Sequence, residues 1–210
     1  MRMYVARHGE TTWNLAGRYQ GRRESALTAL GVRQGFALAE AMAAIEPRIT
    51  RVVASPLIRC AATAKFAADR LGLPVETDDR LLEIAHGTWE GRLRDEIAAD
   101  DPERFRDWRS KPGDVIFEGG ETLAQVHARW RHFIETFDTS QPTLIVTHDA
   151  VVRVAILQAQ QRLLDDLWAV RVENAGFAVF DVVDGAWLLA SESESSHLVG
   201  VRAEASTQAL

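Results

Sequence analysis

Arg7-His8-Gly9-Glu10 closes a short apolar lead, Met3-Tyr4-Val5-Ala6, and the hydroxyl residues Thr11 and Thr12 follow at once. A guanidinium binds phosphate in planar, bidentate fashion. A neutral imidazole is a nucleophile toward phosphorus and forms covalent intermediates. Three more residues complete a set with that pair: Arg59 near the start of a helical stretch, Glu83 after a short polar strand, and His148 at the end of the apolar run "PTLIVTH". A carboxylic acid beside such a site protonates a leaving alkoxide and then deprotonates a water. Positioning and charge neutralisation supply most of phosphoryl-transfer catalysis. Here two arginines and a second histidine take the part that a metal ion plays elsewhere.

Taken singly, each of these residues has an ordinary reading. Arg59 reads as a solvated helix residue, Glu83 as a surface carboxylate, and His148 as a satisfied core histidine. Their convergence changes that, because independent accidents would scatter over both ends of a sheet. His86, His127, His132 and His197 show no such convergence and read as structural or surface residues. His127 and His132 are five apart on one helix, which puts them on different faces. Cys60 reads as a core residue.

The elements that must hold these residues follow from periodicity. Residues 2–7 and 51–55 read as strands, 74–78 as a short strand, and 142–148 as an apolar strand of buried, parallel type. Residues 28–44 carry apolar positions at helical spacing with Thr28 as N-cap. Residues 56–72 form a helix with Pro56 in its first turn and Gly72 at its C-terminal end. Helices also fit 121–137, with Glu121 near its start, and 150–161. Residues 177–183 and 186–192 make a β-hairpin around Asp184-Gly185. The polar, irregular stretch 79–118 reads as an insertion over one edge of the sheet, with short helices near 93–99 and 102–109. Strands alternating with helices imply a three-layer α/β/α sandwich, its sheet mostly parallel with an antiparallel edge strand. Such sheets bind ligands beyond the carboxyl ends of their strands, where Arg7, His8 and His148 lie. We expect one domain over residues 1–200 and a loose tail over 201–210.

The bulk composition agrees. The chain has 210 residues, 47% of them apolar, and a formal net charge of -6. That suits one sizeable core and disfavours a general nucleic-acid binder, while arginines 7, 18, 22, 23 and 59 leave room for a local anion pocket. One cysteine permits no intramolecular disulfide. No apolar run approaches the ~18 residues of a membrane span, and the N-terminus has no secretory leader. A cytoplasmic protein is expected, with neither nucleic acid nor membrane as partner and a homodimer as a candidate assembly.

In this order, "RHGETTWN", "RYQGRRESALTALGVRQ", "SPLIRCAATA", "LLEIAHGTWEG", "GGET" and "IVTHDAVVRV" resemble the histidine phosphatase superfamily, the phosphoglycerate mutase-like proteins. The resemblance covers about residues 3–157, and the ordered set is far more specific than any one motif. It implies that His8 is the nucleophile that becomes phosphohistidine. It implies that Arg7, Arg59 and His148 hold the phosphoryl oxygens, with Asn14, Gln20 and Gly21 as further substrate contacts, and that Glu83 is the general acid and base. No metal and no organic cofactor are implied. Gly9 is then expected to allow close backbone approach, and Thr11 or Thr12 either contacts substrate or caps the turn.

Three departures stand out. The family usually has His-Gly where this chain has His148-Asp149. A carboxylate there would repel a dianionic phosphate unless it points away and serves the next helix N-terminus, which is the reading favoured here. Glu24 stands where aspartate is common, and Glu118 precedes the double glycine. The compact insertion and the QGRRES stretch favour a phosphatase acting on a small phosphorylated metabolite over a phosphoglycerate mutase. A phosphate-binding module without turnover would be expected to have lost His8 or Glu83. Arg22 and Arg23 either favour a second negative charge on the substrate or form a solvated basic pair. Trp89, Trp108 and Phe117 either wall the pocket or pack the insertion onto the sheet.

Overall fold

The computed structural model describes residues 1–202; the expected tail lies outside the described residues from 203 onward. The chain runs β1 (Arg2–Arg7), α1 (Thr12–Leu15), α2 (Ala29–Ala43), β2 (Arg51–Ala54), α3 (Ile58–Leu71), β3 (Val75–Thr77), α4 (Arg94–Asp100), α5 (Pro102–Ser110), α6 (Leu123–Thr136), β4 (Thr143–Thr147), α7 (Asp149–Ala159), β5 (Phe177–Val183) and β6 (Ala186–Glu194), with short 3₁₀ turns between. The six strands form one sheet in the order β3-β2-β4-β1-β5-β6. β3, β2, β4 and β1 are parallel, and β5 and β6 join antiparallel at the β1 side.

Alternation along the central strands explains the layers, because successive side chains point to opposite faces. Met3, Val5, Val53 and Ile145 enter a core beneath α6 and α7. Tyr4, Ala6, Val52, Ala54, Leu144 and Val146 enter a second core beneath α2 and α3. Both faces are therefore covered, and the central strands carry near-continuous apolar runs. Leu81, Ile84, Trp89, Ile97, Trp108, Val115 and Phe117 from the 79–118 segment pack into the first core. Trp89, Trp108 and Phe117 are buried there at 1%, 0% and 3% exposure, so they pack the segment down and do not wall a pocket.

Helix starts follow side-chain chemistry. Thr28 caps α2 by accepting from the Gly31 N–H. Two expected boundaries need correction. Pro56 precedes α3 and is not in its first turn, because the first helical hydrogen bonds are accepted by the Leu57 carbonyl. Glu121 lies outside α6, because Thr122 and Gln125 close a capping box. Gly72 ends α3 in the left-handed region, with φ 72°. Asp184 and Gly185, both at positive φ, make the two-residue turn of the β5–β6 hairpin.

Candidate active site

The register of β1 on β4 builds the site. Arg7 pairs with Thr147, so the next residue on each strand is a histidine. The His8 N–H donates to the Thr147 carbonyl at 3.0 Å, and the two rings meet edge to face with centroids 5.3 Å apart. β2 ends at the same edge, where the Ser55 N–H donates to Val146. The Ser55 hydroxyl lies 2.8 Å from His148 Nε2. In the sequence Ser55 reads only as the last residue of a strand. The sheet order that makes it a neighbour of His148 is the signal it lacked.

His8 is 2% exposed, and its Nδ1 lies 2.7 Å from the Gly9 carbonyl oxygen. A carbonyl only accepts, so Nδ1 carries the proton and Nε2 keeps its lone pair. Burial above all, then the charges of Arg59 and Arg7, hold the His8 ring well below the usual imidazole range. Burial, Arg59 and His8 do the same for His148. Both rings are therefore neutral near pH 7.

The two arginines arrive from opposite sides. Arg59, 1% exposed at the second position of α3, donates to the Gly21 carbonyl at 2.7 Å and to the Arg23 carbonyl at 2.9 Å. Arg7 donates to the Val172 carbonyl at 2.9 Å. Glu83 is buried, and one of its oxygens accepts from the Ile84 N–H at 2.9 Å. Burial pushes its carboxyl up to about 7 against the opposing pull of Arg59. Arg7, His8, Arg59, Glu83 and His148 thus share one water-poor sheet edge.

The remaining expected contacts are less direct. Asn14 is buried in the capping box of α1, with its amide oxygen accepting from the Thr11 N–H. Thr11 is therefore the cap. The amide oxygen of Gln20 takes the Ser25 hydroxyl at 2.7 Å and lies 3.1 Å from the Thr11 hydroxyl. Gly21, at φ 52°, meets Arg59 through its carbonyl. Gly9 allows a close backbone approach, as expected, and the backbone it admits is that of α2. A Cβ there would stand 2.5 Å from the Gly31 carbonyl oxygen, so its missing side chain admits the first turn of α2.

Arg22 ion-pairs with Glu121 at 2.8 Å and reaches toward the Glu83 carbonyl at 3.4 Å, and Arg23 donates to the Glu90 carbonyl. Both residues are exposed, so the pair stays solvated while each arginine also meets a protein group. His86 is fully buried against Tyr19, Trp108 and Phe117, a structural role. Cys60 is buried with its sulfur 3.3 Å from His148 Nε2. Asp149 stands in the first turn of α7, as expected. It is 1% exposed and pairs with Arg7 at 3.0 Å and Arg153 at 2.5 Å. The expectation treated it as a charge near phosphate and a helix-start residue, and the two cations that hold it were not read from sequence.

No group of three or more metal-ligating side chains forms among the described residues. No described helix is long and apolar enough to cross a membrane.

The chain is similar to known proteins over most of its length. The chain is 31% identical over 201 residues to phosphoserine phosphatase 1 of Hydrogenobacter thermophilus, covering 94% of each. It is 34% identical over 203 residues to the metal-independent phosphoserine phosphatase of Arabidopsis thaliana, covering 94% of this chain and 83% of that one. Among solved structures, YhfR of Bacillus stearothermophilus is similar at a TM-score of 0.88 and 29% identity, covering 94% of this chain and 98% of that one. The histidine phosphatase superfamily (branch 1) matches residues 3–194. That span takes in the strand that delivers His8 and the helix start that delivers His148, and the chain belongs to this superfamily.

Proposed function

We propose that the chain hydrolyses phosphomonoesters of small metabolites through a phosphohistidine on His8. The observation that carries the proposal is the His8–Gly9 hydrogen bond, which leaves a neutral ring with its Nε2 lone pair unprotonated. Nε2 attacks phosphorus, the P–O bond to the leaving group breaks, and Glu83 gives its proton to the departing alkoxide. Water then attacks the phosphoryl group, Glu83 takes a proton from it, the P–N bond breaks, and inorganic phosphate leaves. Arg7, Arg59 and His148 hold the equatorial oxygens, with Asn14, Gln20 and Gly21 supporting them. A carboxyl near 7 suits both halves of this cycle, because it is protonated in one and ionised in the other. None of these steps requires a metal ion or an organic cofactor.

Two relatives act, by name, on phosphoserine, which makes phosphoserine the first ester to offer. A cytoplasmic location belongs to the same proposal and rests on the single buried, unbridged cysteine. The acidic balance of -6 supports a small-molecule partner over nucleic acid. The outer edge of β6 has no strand partner among the described residues, and a second copy in a homodimer would pair there.

The test is inorganic phosphate release in EDTA from phosphoserine, 3-phosphoglycerate, sugar phosphates, nucleoside monophosphates and an aryl phosphate. Release by the wild type and none by His8→Ala is the expected result. Release unaffected by His8→Ala, or abolished by EDTA, overturns the reading.

A further inference from the structure

Asp149 joins two buried cations. One of its oxygens lies 3.0 Å from Arg7 Nη1 and the other 2.5 Å from Arg153 Nε. All three side chains are shielded, at 1% exposure for Asp149, 5% for Arg7 and 12% for Arg153. Charges this far from water must be paired, and removing the central partner leaves the others uncompensated. Asp149 is the first residue of α7, and His148 is the cap just before it. One helix start therefore delivers both His148 and a counter-charge for Arg7.

The surroundings complete a clamp. Arg153 donates to the carbonyls of Leu167 and Val170, and its guanidinium lies over the Trp168 ring. Arg7 Nη1 donates to the Val172 carbonyl in addition to pairing with Asp149. Two acceptors on one nitrogen fix the plane of the Arg7 guanidinium. A fixed plane gives its other edge one orientation toward the strand ends.

On the reading that Arg7 grips the phosphoryl group, we propose that Asp149 is a positioning residue for this reaction. It holds Arg7 in the orientation that the five-coordinate phosphoryl geometry needs, and Arg153 holds Asp149 from the far side. Its charge opposes phosphate in the ground state while its anchoring helps, so the two effects offset there. In the transition state geometry dominates, because small misplacements of a clamp weaken it steeply.

The experiment compares wild type, Asp149→Asn, Arg7→Lys and the double variant, with His8→Ala as control. It reads kcat, KM, and inhibition by vanadate and by inorganic phosphate. We expect Asp149→Asn to lower kcat about tenfold and to weaken vanadate in parallel. Phosphate inhibition and KM should stay within about twofold. On the Arg7→Lys background the same change should cost under about twofold, since coupled residues are not additive. Arg153→Lys, which keeps the charge, should show the same vanadate-to-phosphate signature more weakly and serves if Asp149→Asn does not fold. An unchanged kcat and inhibitor ratio, or an equal loss on the Arg7→Lys background, overturns the proposal. Activity surviving His8→Ala would instead overturn the phosphohistidine reading on which it rests.

Discussion

His8 Nδ1 and the carbonyl oxygen of the very next residue, Gly9, are 2.7 Å apart. A contact this local fixes the ring tautomer before any substrate arrives. Gly9 is constrained on its other side as well, since a Cβ there would meet the Gly31 carbonyl oxygen at 2.5 Å.

The first prediction concerns the other ring nitrogen, Nε2. An alkaline quench during turnover should trap phosphate on His8 as an alkali-stable, acid-labile adduct, because phosphorus attached at nitrogen resists base. The adduct should be absent from His8→Ala. A peptide map placing the phosphate on any other residue would contradict it.

The raised Glu83 carboxyl predicts a pH profile. With its carboxyl near 7, kcat/KM for alkyl phosphates should fall as pH rises above about 7, because the first step uses the protonated form. Glu83→Gln should cost alkyl esters about 10²–10⁴-fold. An activated aryl ester, whose leaving group needs no proton, should lose under about tenfold. Equal losses on both esters would remove Glu83 from this role.

The same carboxyl makes a stability prediction of definite sign. Its value in the folded state is raised, so the folded protein binds this proton more tightly than the unfolded chain does. That contribution is complete at low pH and is lost as pH rises through about 7. Glu83→Gln should therefore melt near the wild-type temperature at pH 5. At pH 8 it should melt higher, by on the order of 1–3 kcal/mol of stability. Melting curves that stay superimposed at both values would refute it.

Cys60 should be silent to thiol reagents. Burial pushes its thiol far above the usual range, and reactivity belongs to the thiolate. Iodoacetamide should label it only after denaturation. Cys60→Ala should cost stability through lost packing against His148 while keeping most of the activity. Rapid labelling of the native protein would count against this account.

Much of the site was legible before the structure, for a physical reason. Period-two alternation marked β1 and a continuous apolar run marked β4, and in parallel sheets chemistry gathers where strands end, which brought Arg7, His8 and His148 together. Arg59 followed from its place near the start of α3. What sequence did not reveal was pairing across the chain. Asp149 was weighed against phosphate and against its own helix, since its neighbours in sequence were visible and Arg7 was not. Pro56 and Glu121 were drawn into helices by residue type, whereas the hydrogen bonds of Leu57 and Thr122 set the true starts. The four-residue α1 is too short to show a period at all.

The position of β1 in the sheet bears on synthesis. β1 lies between β4 and β5, and each of its ladder partners is at or beyond Thr143. A ribosome makes His8 well over a hundred residues before the strands that give it an address. Ladders this distant in sequence close late and slowly. A nascent or truncated chain ending before Thr143 carries His8 without β4 or His148, so the candidate site cannot assemble until β4 has been made.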